Sequence, residues 1–113
     1  MNEFDKRQLN IMIQKIHSFN EGHLHLSDLI YDLEALLNIL TNQDQPWKAT
    51  FRGYWWNLEQ VYAFALYEEK SRLDSEDQKI VNDTIEDLKS LIYTKLYCSK
   101  QEIGKALMEE LNK

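Results

Sequence analysis

Phe51-Arg52-Gly53-Tyr54-Trp55-Trp56-Asn57-Leu58-Glu59-Gln60-Val61-Tyr62-Ala63 gathers five of the chain's thirteen aromatic residues into one helical pattern. On either side the repeat continues. Trp47, Phe51, Tyr54, Trp55, Leu58, Val61, Tyr62, Ala65 and Leu66 hold a near-heptad spacing, the mark of a helix with a broad apolar stripe. Pro46 opens it where a residue without an N–H is best tolerated. From there to about residue 68 the helix is a rod of roughly 33 Å. Aromatics at helical spacing are core formers first, so Phe51, Trp55, Leu58 and Tyr62 are read as core. Tyr54 and Trp56 flank the stripe, so at least one of them reaches the surface, where an aromatic suits a binding contact. Gly53 costs about 1 kcal/mol relative to Ala in mid-helix. Either another helix approaches it closely, or the weakness is tolerated.

The rest of the chain fits around this rod as further amphipathic helices. Leu9, Met12, Ile13, Ile16 and Phe19 recur at spacings of three and four, and Gly22 ends that helix as a residue free to take positive φ. His23-Leu24-His25-Leu26 reads as a connector burying its two leucines. Ser27 or Asp28 caps a second helix, with Leu29, Ile30, Leu33, Leu37 and Leu40 on one face. Leu36 and Ile39 widen that stripe, which predicts packing against two neighbours. Ser75, followed three residues later by Gln78, reads as a capping box, with Glu76 and Asp77 favourable in the first turn. Ile80, Val81, Ile85, Leu88, Leu91, Ile92 and Leu96 form the apolar stripe of the helix that follows, with Glu86 and Ser90 on its wet side. Ile103, Leu107 and Leu111 continue a helical pattern that Gly104 weakens, either as the same helix or as a fifth after Cys98-Ser99.

The expected architecture is therefore all-α: one domain over residues 1–113, a bundle of four to five mostly antiparallel helices with short loops. Only three glycines and one proline in 113 residues leave little material for turns. At 13.5 kDa, folding buries roughly two-thirds of the extended chain's surface, enough for a core without disulfide or metal.

Nineteen acidic against thirteen basic residues give a formal charge of −6, spread without a run of like charges. That argues against nucleic acid as a partner and fits a basic protein partner, through complementary fields. Mild acidity is also an ordinary solubility feature. The lone Cys98 precludes an intrachain disulfide or a cysteine metal cluster, which fits a reducing cytosol. No stretch approaches the ~20 apolar residues of a membrane span, and the first residues resemble no secretion or organelle signal. The expected location is the cytoplasm.

Residue sets for chemistry are sparse. A carboxylate-bridged di-metal site in a bundle needs Glu-x-x-His pairs, and the chain has none. His17, His23 and His25 all precede the second helix, and the last two need a third ligand from elsewhere to hold a metal. Exposed or half-buried connector histidines are the plainer reading. Cys98 lies late in a helix, where the macrodipole raises a thiol pKa, so a packed or solvent-facing thiol is expected instead of a nucleophile. Three scattered glycines build neither a phosphate loop nor a dinucleotide turn. No catalytic, cofactor or metal residue is expected, and the chain is read as a non-enzyme. Arg52 is expected to meet Asp32 or Glu34 of the second helix as a structural bond.

DLEALLNIL from Asp32 to Leu40, PWK-x-x-FRGYWWNLEQVYAFAL from Pro46 to Leu66, and LDSEDQKIVNDTIEDLKSLI from Leu73 to Ile92 resemble small acidic helical bacterial proteins. These look like the immunity proteins of polymorphic toxin systems, including contact-dependent growth inhibition. The likeness covers roughly residues 24 to 96 and is most specific from Phe51 to Ala63. It implies stoichiometric binding and neutralisation of a cognate toxin domain, many such toxins being basic nucleases. No motif of that family marks the contact residues. On physical grounds they are expected to be acidic and aromatic: Asp28, Asp32, Glu59, Glu68, Glu69, Asp83, Glu86 and Asp87, with Tyr54 or Trp56 as anchor. A monomer is expected. The alternative is a structural or regulatory interaction module, homodimeric through an apolar face of the second or fourth helix.

Overall fold

Asn2 begins the first helix by accepting a hydrogen bond from the Asp5 N–H at 2.7 Å, which satisfies a donor that the helix itself leaves unpaired. The computed structural model describes residues 1–42, 44–69 and 72–111, with the side chains of 98–111 outside that description. Four helices follow in order: α1 Glu3–Asn20, α2 Leu26–Ile39, α3 Gln45–Tyr67 and α4 Ser75–Leu111. The described residues contain no strand. α1 packs on α2, α2 on α3, α3 on α4 and α4 on α1, with no close backbone approach across the diagonals among the described residues, so the helices stand in a ring around one core.

The cross-links descend in opposite chain directions between each consecutive pair. Asp5 meets Thr41 and Lys15 meets Asp32 across α1 and α2. Ile30 meets Trp55 and Asn38 meets Arg52 across α2 and α3. Asp44 meets Lys95 and Trp47 meets Leu91 where α3 lies along α4. The bundle is thus antiparallel, as the short loops require. Its interior holds Leu9, Met12 and Ile16 of α1, Leu29, Leu33 and Leu37 of α2, Phe51 and Leu58 of α3, and Val81, Ile85, Leu88 and Ile92 of α4. As its stripe predicts, α2 touches two neighbours.

The helix ends refine the sequence reading. Gly22 has φ 82°, and the Gly22 and His23 N–H groups bond back to Phe19 and Ser18 in a Schellman arrangement. α2 is not capped by Ser27 or Asp28: it starts at Leu26 after His25, whose side chain makes no cap bond. Leu24 and Leu26 pack half-buried on the core, so the chain turns into the helix early and Asp28 falls within its first turn. There the carboxylate faces the helix's positive end. Pro46 lies one residue inside α3, behind Gln45, with Asp44 accepting the Trp47 N–H at 3.1 Å. The capping box at Ser75 is also corrected: Asp74 caps α4 by accepting the Asp77 N–H at 2.8 Å, and Gln78 turns to the Leu73 carbonyl. α4 is one helix of 37 residues, roughly 55 Å long, so the fifth-helix alternative falls away. The Cys98 side chain lies outside the described residues.

Three apolar residues assigned to stripes are solvent-exposed: Ile39, Leu66 and Ile80. Ile39 and Ile80 sit at the stripe margins, where Leu40 and Val81 take the interior positions. Leu66, near the end of α3, lines a cavity with Leu26 and Leu73 instead of entering the core. Trp55 and Tyr62, read as core, are half-buried and packed against it. Two tryptophans pin α3 in place. The Trp55 indole donates to the Ile30 carbonyl at 2.8 Å, and the Trp47 indole donates to the Leu91 carbonyl at 3.2 Å.

Lys95 ties α4 to the start of α3, its Nζ 2.6 Å from Asp44 Oδ2 and 5.8 Å from the Trp47 ring centroid. The hydrogen bond from Lys95, helped by the Trp47 N–H, holds the Asp44 carboxyl below its usual range. A depressed folded pKa stabilises the fold above the unfolded value of about 3.9 and is lost as pH falls through the lower folded value. Asp44→Asn is therefore expected to remove this acid-sensitive contribution. Melting curves of the two proteins should differ near neutral pH and converge once the pH has fallen below the lowered folded value of Asp44; a constant offset would refute the linkage.

Gly53 is exposed, and a Cβ there would meet nothing within 4 Å. No helix of the same chain approaches it, which leaves a tolerated weakness. Gly53→Ala is expected to stabilise by about 1 kcal/mol. Thermal denaturation checks this, and a lowered Tm would reveal a constraint at this position.

Candidate functional site

α3 presents two different surfaces beside its buried stripe. Trp56, Ala63 and Tyr67 are spaced seven and four apart on the side away from Phe51 and Leu58, and all three are exposed, Trp56 by 53% and Tyr67 by 86%. Phe64 stands beside them, 60% exposed. From Gly53 to Tyr67 the only charged residue is Glu59. An exposed helical face with so little charge and so much aromatic area is the kind of patch that proteins use for contacts.

The second surface is the groove between α2 and α3. Tyr31 and Glu34 stand on one wall and Glu59 and Tyr62 on the other, with Trp55 between them, around a cavity of about 300 Å³. The Trp55 indole bond to α2 fixes the aromatic platform. Glu34 and Glu59 are half-buried, and neither has an ion-pair or hydrogen-bond partner among the described residues. Towards the α3 C-terminus the groove runs into a second cavity of about 300 Å³ that shares Ser27 and Tyr62 and adds Leu26, Ala65, Leu66 and Leu73, with Arg72 at its edge. At the other end Arg52 Nη2 donates to Asn38 Oδ1 at 3.3 Å.

That bond corrects the expected pairing of Arg52 with Asp32 or Glu34. The antiparallel register sets Trp55 against Ile30, so Arg52, a turn earlier on α3, reaches further along α2 to Asn38. Asp32 faces α1 instead, 3.2 Å from Lys15.

The expected acidic contact residues do not share one face. Asp28 and Asp32 lie on α2, Asp32 on its α1 side. Asp83, Glu86 and Asp87 are exposed on α4, which is not a neighbour of α2 in the ring. Glu86 lies 3.5 Å from Lys89 on its own helix. Glu68 and Glu69 close α3, Glu69 with φ 55°. Of the whole set, Glu59 and Trp56 stand beside the groove and on the aromatic face respectively, while Tyr54 is half-buried against the core. Tyr31, Phe64 and Tyr67 escaped the sequence reading. The signal that marks the last two is the near-absence of charge from Gly53 to Tyr67. Tyr31 carries no such mark, because its neighbours across the groove come from another helix.

His17, His23 and His25 are exposed, and His23 Nε2 lies 3.8 Å from Glu21 Oε2. Among the described residues, no three His, Cys, Asp or Glu side chains come together to hold a metal, and no helix is long and apolar enough to cross a membrane. What the two α3 surfaces offer chemically is apolar contact area, aromatic rings and unpaired carboxylates. The chain matches no protein-family model, no curated protein and no solved structure.

Proposed function

We propose that this chain is a non-enzymatic cytoplasmic immunity protein that neutralises a basic toxin domain, such as a nuclease, by forming an equimolar complex through α3 and the adjoining groove. The observation that carries this reading is the exposed aromatic face of α3 beside the unpaired Glu34 and Glu59. Rigid aromatics are the strongest anchors in protein interfaces, and half-buried carboxylates favour a cationic partner. The −6 charge favours association with a basic protein by long-range attraction and disfavours nucleic acid. The likeness of residues 24 to 96 to immunity proteins supplies the biological setting.

Co-expression with the C-terminal domain of the large protein encoded immediately upstream tests the reading. A tight equimolar complex that restores growth supports it; a domain that is not toxic, or a toxic one that this chain neither binds nor silences, overturns it. Trp56→Ala is expected to weaken such a complex about 30-fold, corresponding to a loss of about 2 kcal/mol. Titration calorimetry checks this, and unchanged affinity would move the contact off α3.

A self-associating interaction module is the second reading, favoured by the open space over Gly53 between exposed Ala49 and Trp56. A second copy's helix could approach there beside Arg52. Sedimentation across a concentration series separates the two, since only this module dimerises without a partner.

A further inference from the structure

We infer that the α2–α3 groove receives an arginine side chain from a basic protein partner, its guanidinium stacked on the aromatic wall and paired with Glu34 and Glu59. The identity of the donor as a protein rests on the binding function proposed above; the cation preference rests on the groove itself.

Among the described residues the walls carry two carboxylates and no cation, with Tyr31, Trp55 and Tyr62 around them. Of the other half-buried carboxylates, Asp32 pairs with Lys15 and Asp44 with Lys95. Glu34 and Glu59 do not, although Arg52 lies only two turns before Glu59 on α3, because Arg52 is turned to Asn38. Partial burial strengthens the field of an unpaired carboxylate and raises the benefit of a counter-charge brought from outside.

A guanidinium suits this site better than an ammonium. It is planar, stacks on aromatic faces and presents a fork of donors that two carboxylates can share. Trp55 is held at a fixed angle by its bond to Ile30, so the stacking surface is formed in advance. The adjoining cavity, lined by His25, Ser27 and Arg72 as well, continues the groove with Leu26, Ala65, Leu66 and Leu73 as apolar contacts for the residues flanking that arginine. Its Arg72 disfavours a second cation there. The occupant is therefore a short segment with one arginine beside apolar residues.

The test uses N-acetyl-arginine methylamide as a probe of the isolated full chain, followed by two-dimensional NMR. N-acetyl-citrulline methylamide is the neutral isostere, and N-acetyl-lysine methylamide is the other cation. Saturable shifts of the Trp55 indole and of the backbone around Tyr31 and Tyr62, at least ~10-fold weaker for the combined E34Q and E59Q substitutions, are expected. The dispersed Trp55 indole signal shows that this variant is folded. Equal response to citrulline, shifts spread over the acidic surface, or a double variant that binds like the parent would overturn the inference. Lysine binding as tightly as arginine would overturn the guanidinium preference. A failed titration alongside a tight toxin complex removes the groove assignment and leaves the immunity reading; a successful titration with no toxic partner does the reverse.

Discussion

Phe51→Ala is expected to destabilise the fold by about 3–5 kcal/mol, the range for removing a fully enclosed aromatic side chain. Phe51 has no exposure, its ring lies 5.5 Å from that of Trp47, and it belongs to the core shared by all four helices. Its loss leaves a cavity that the surrounding leucines and isoleucines cannot fill without leaving their rotamer wells. Against a stability of about 5–15 kcal/mol for a domain, this is a large share. Chemical denaturation should show a lower midpoint with an unchanged slope. A shift below about 1 kcal/mol would mean that α3 does not pack as described. Trp56, five residues along, is the control. Exposed by 53%, it should change stability little when truncated, so losses in binding by that variant are not losses of fold.

Asp5→Ala is expected to cost about 2–3 kcal/mol, more than its place near the N-terminus suggests. Asp5 is 1% exposed, the most buried charged residue described. Its Oδ1 accepts the Thr41 N–H at 2.9 Å and its Oδ2 accepts the Thr41 hydroxyl at 2.9 Å. The carboxylate therefore clasps the chain where α2 ends and the loop to α3 begins. Alanine removes both acceptors and leaves a backbone donor to find water beside the closed end of the bundle. Thr41→Ala removes only the hydroxyl and should cost about 1 kcal/mol. A double-mutant cycle should give a coupling of roughly 1 kcal/mol between the two positions, and additive losses would show that the hydroxyl–carboxylate bond contributes nothing.

These two cases mark where the sequence was legible. Phe51 announces itself: it stands in a repeat of apolar residues at helical spacing, and burial follows from that periodicity. Asp5 looks like any acidic residue in a first helical turn, because its partner is 36 positions away and only the antiparallel return of α2 brings them together. The same contrast runs through the aromatic segment. Phe51 and Leu58 are buried as their spacing requires, while Trp55 is half-buried because the α2 backbone offers its indole a carbonyl. That acceptor is set by interhelical register, to which α3's own pattern is blind.

The candidate surface divides in the same way. Aromatic content and sparse charge on α3 were readable, and so was an outward placement for at least one of Tyr54 and Trp56, a choice the bundle settles for Trp56. The groove was not, since Tyr31 and Glu34 on one wall and Glu59 and Tyr62 on the other belong to different helices. Acidic residues chosen by charge and exposure alone scattered over α2, α3 and α4. Charge in a sequence has sign but no direction until the helix carrying it is turned against its neighbours.

By itself the sequence determined an all-α chain, the near-continuous apolar stripes that form its core, and the acidic balance of its surface. Each of these is a local property, written in spacing at 3.6 residues per turn or in composition. Tertiary structure alone decided that α4 runs unbroken, that Asp74 and not Ser75 caps it, that Arg52 turns to Asn38, and that Glu34 and Glu59 face one groove without a counter-ion. Those outcomes depend on how far one helix slides and rotates against the next, a choice made by side chains from both helices together.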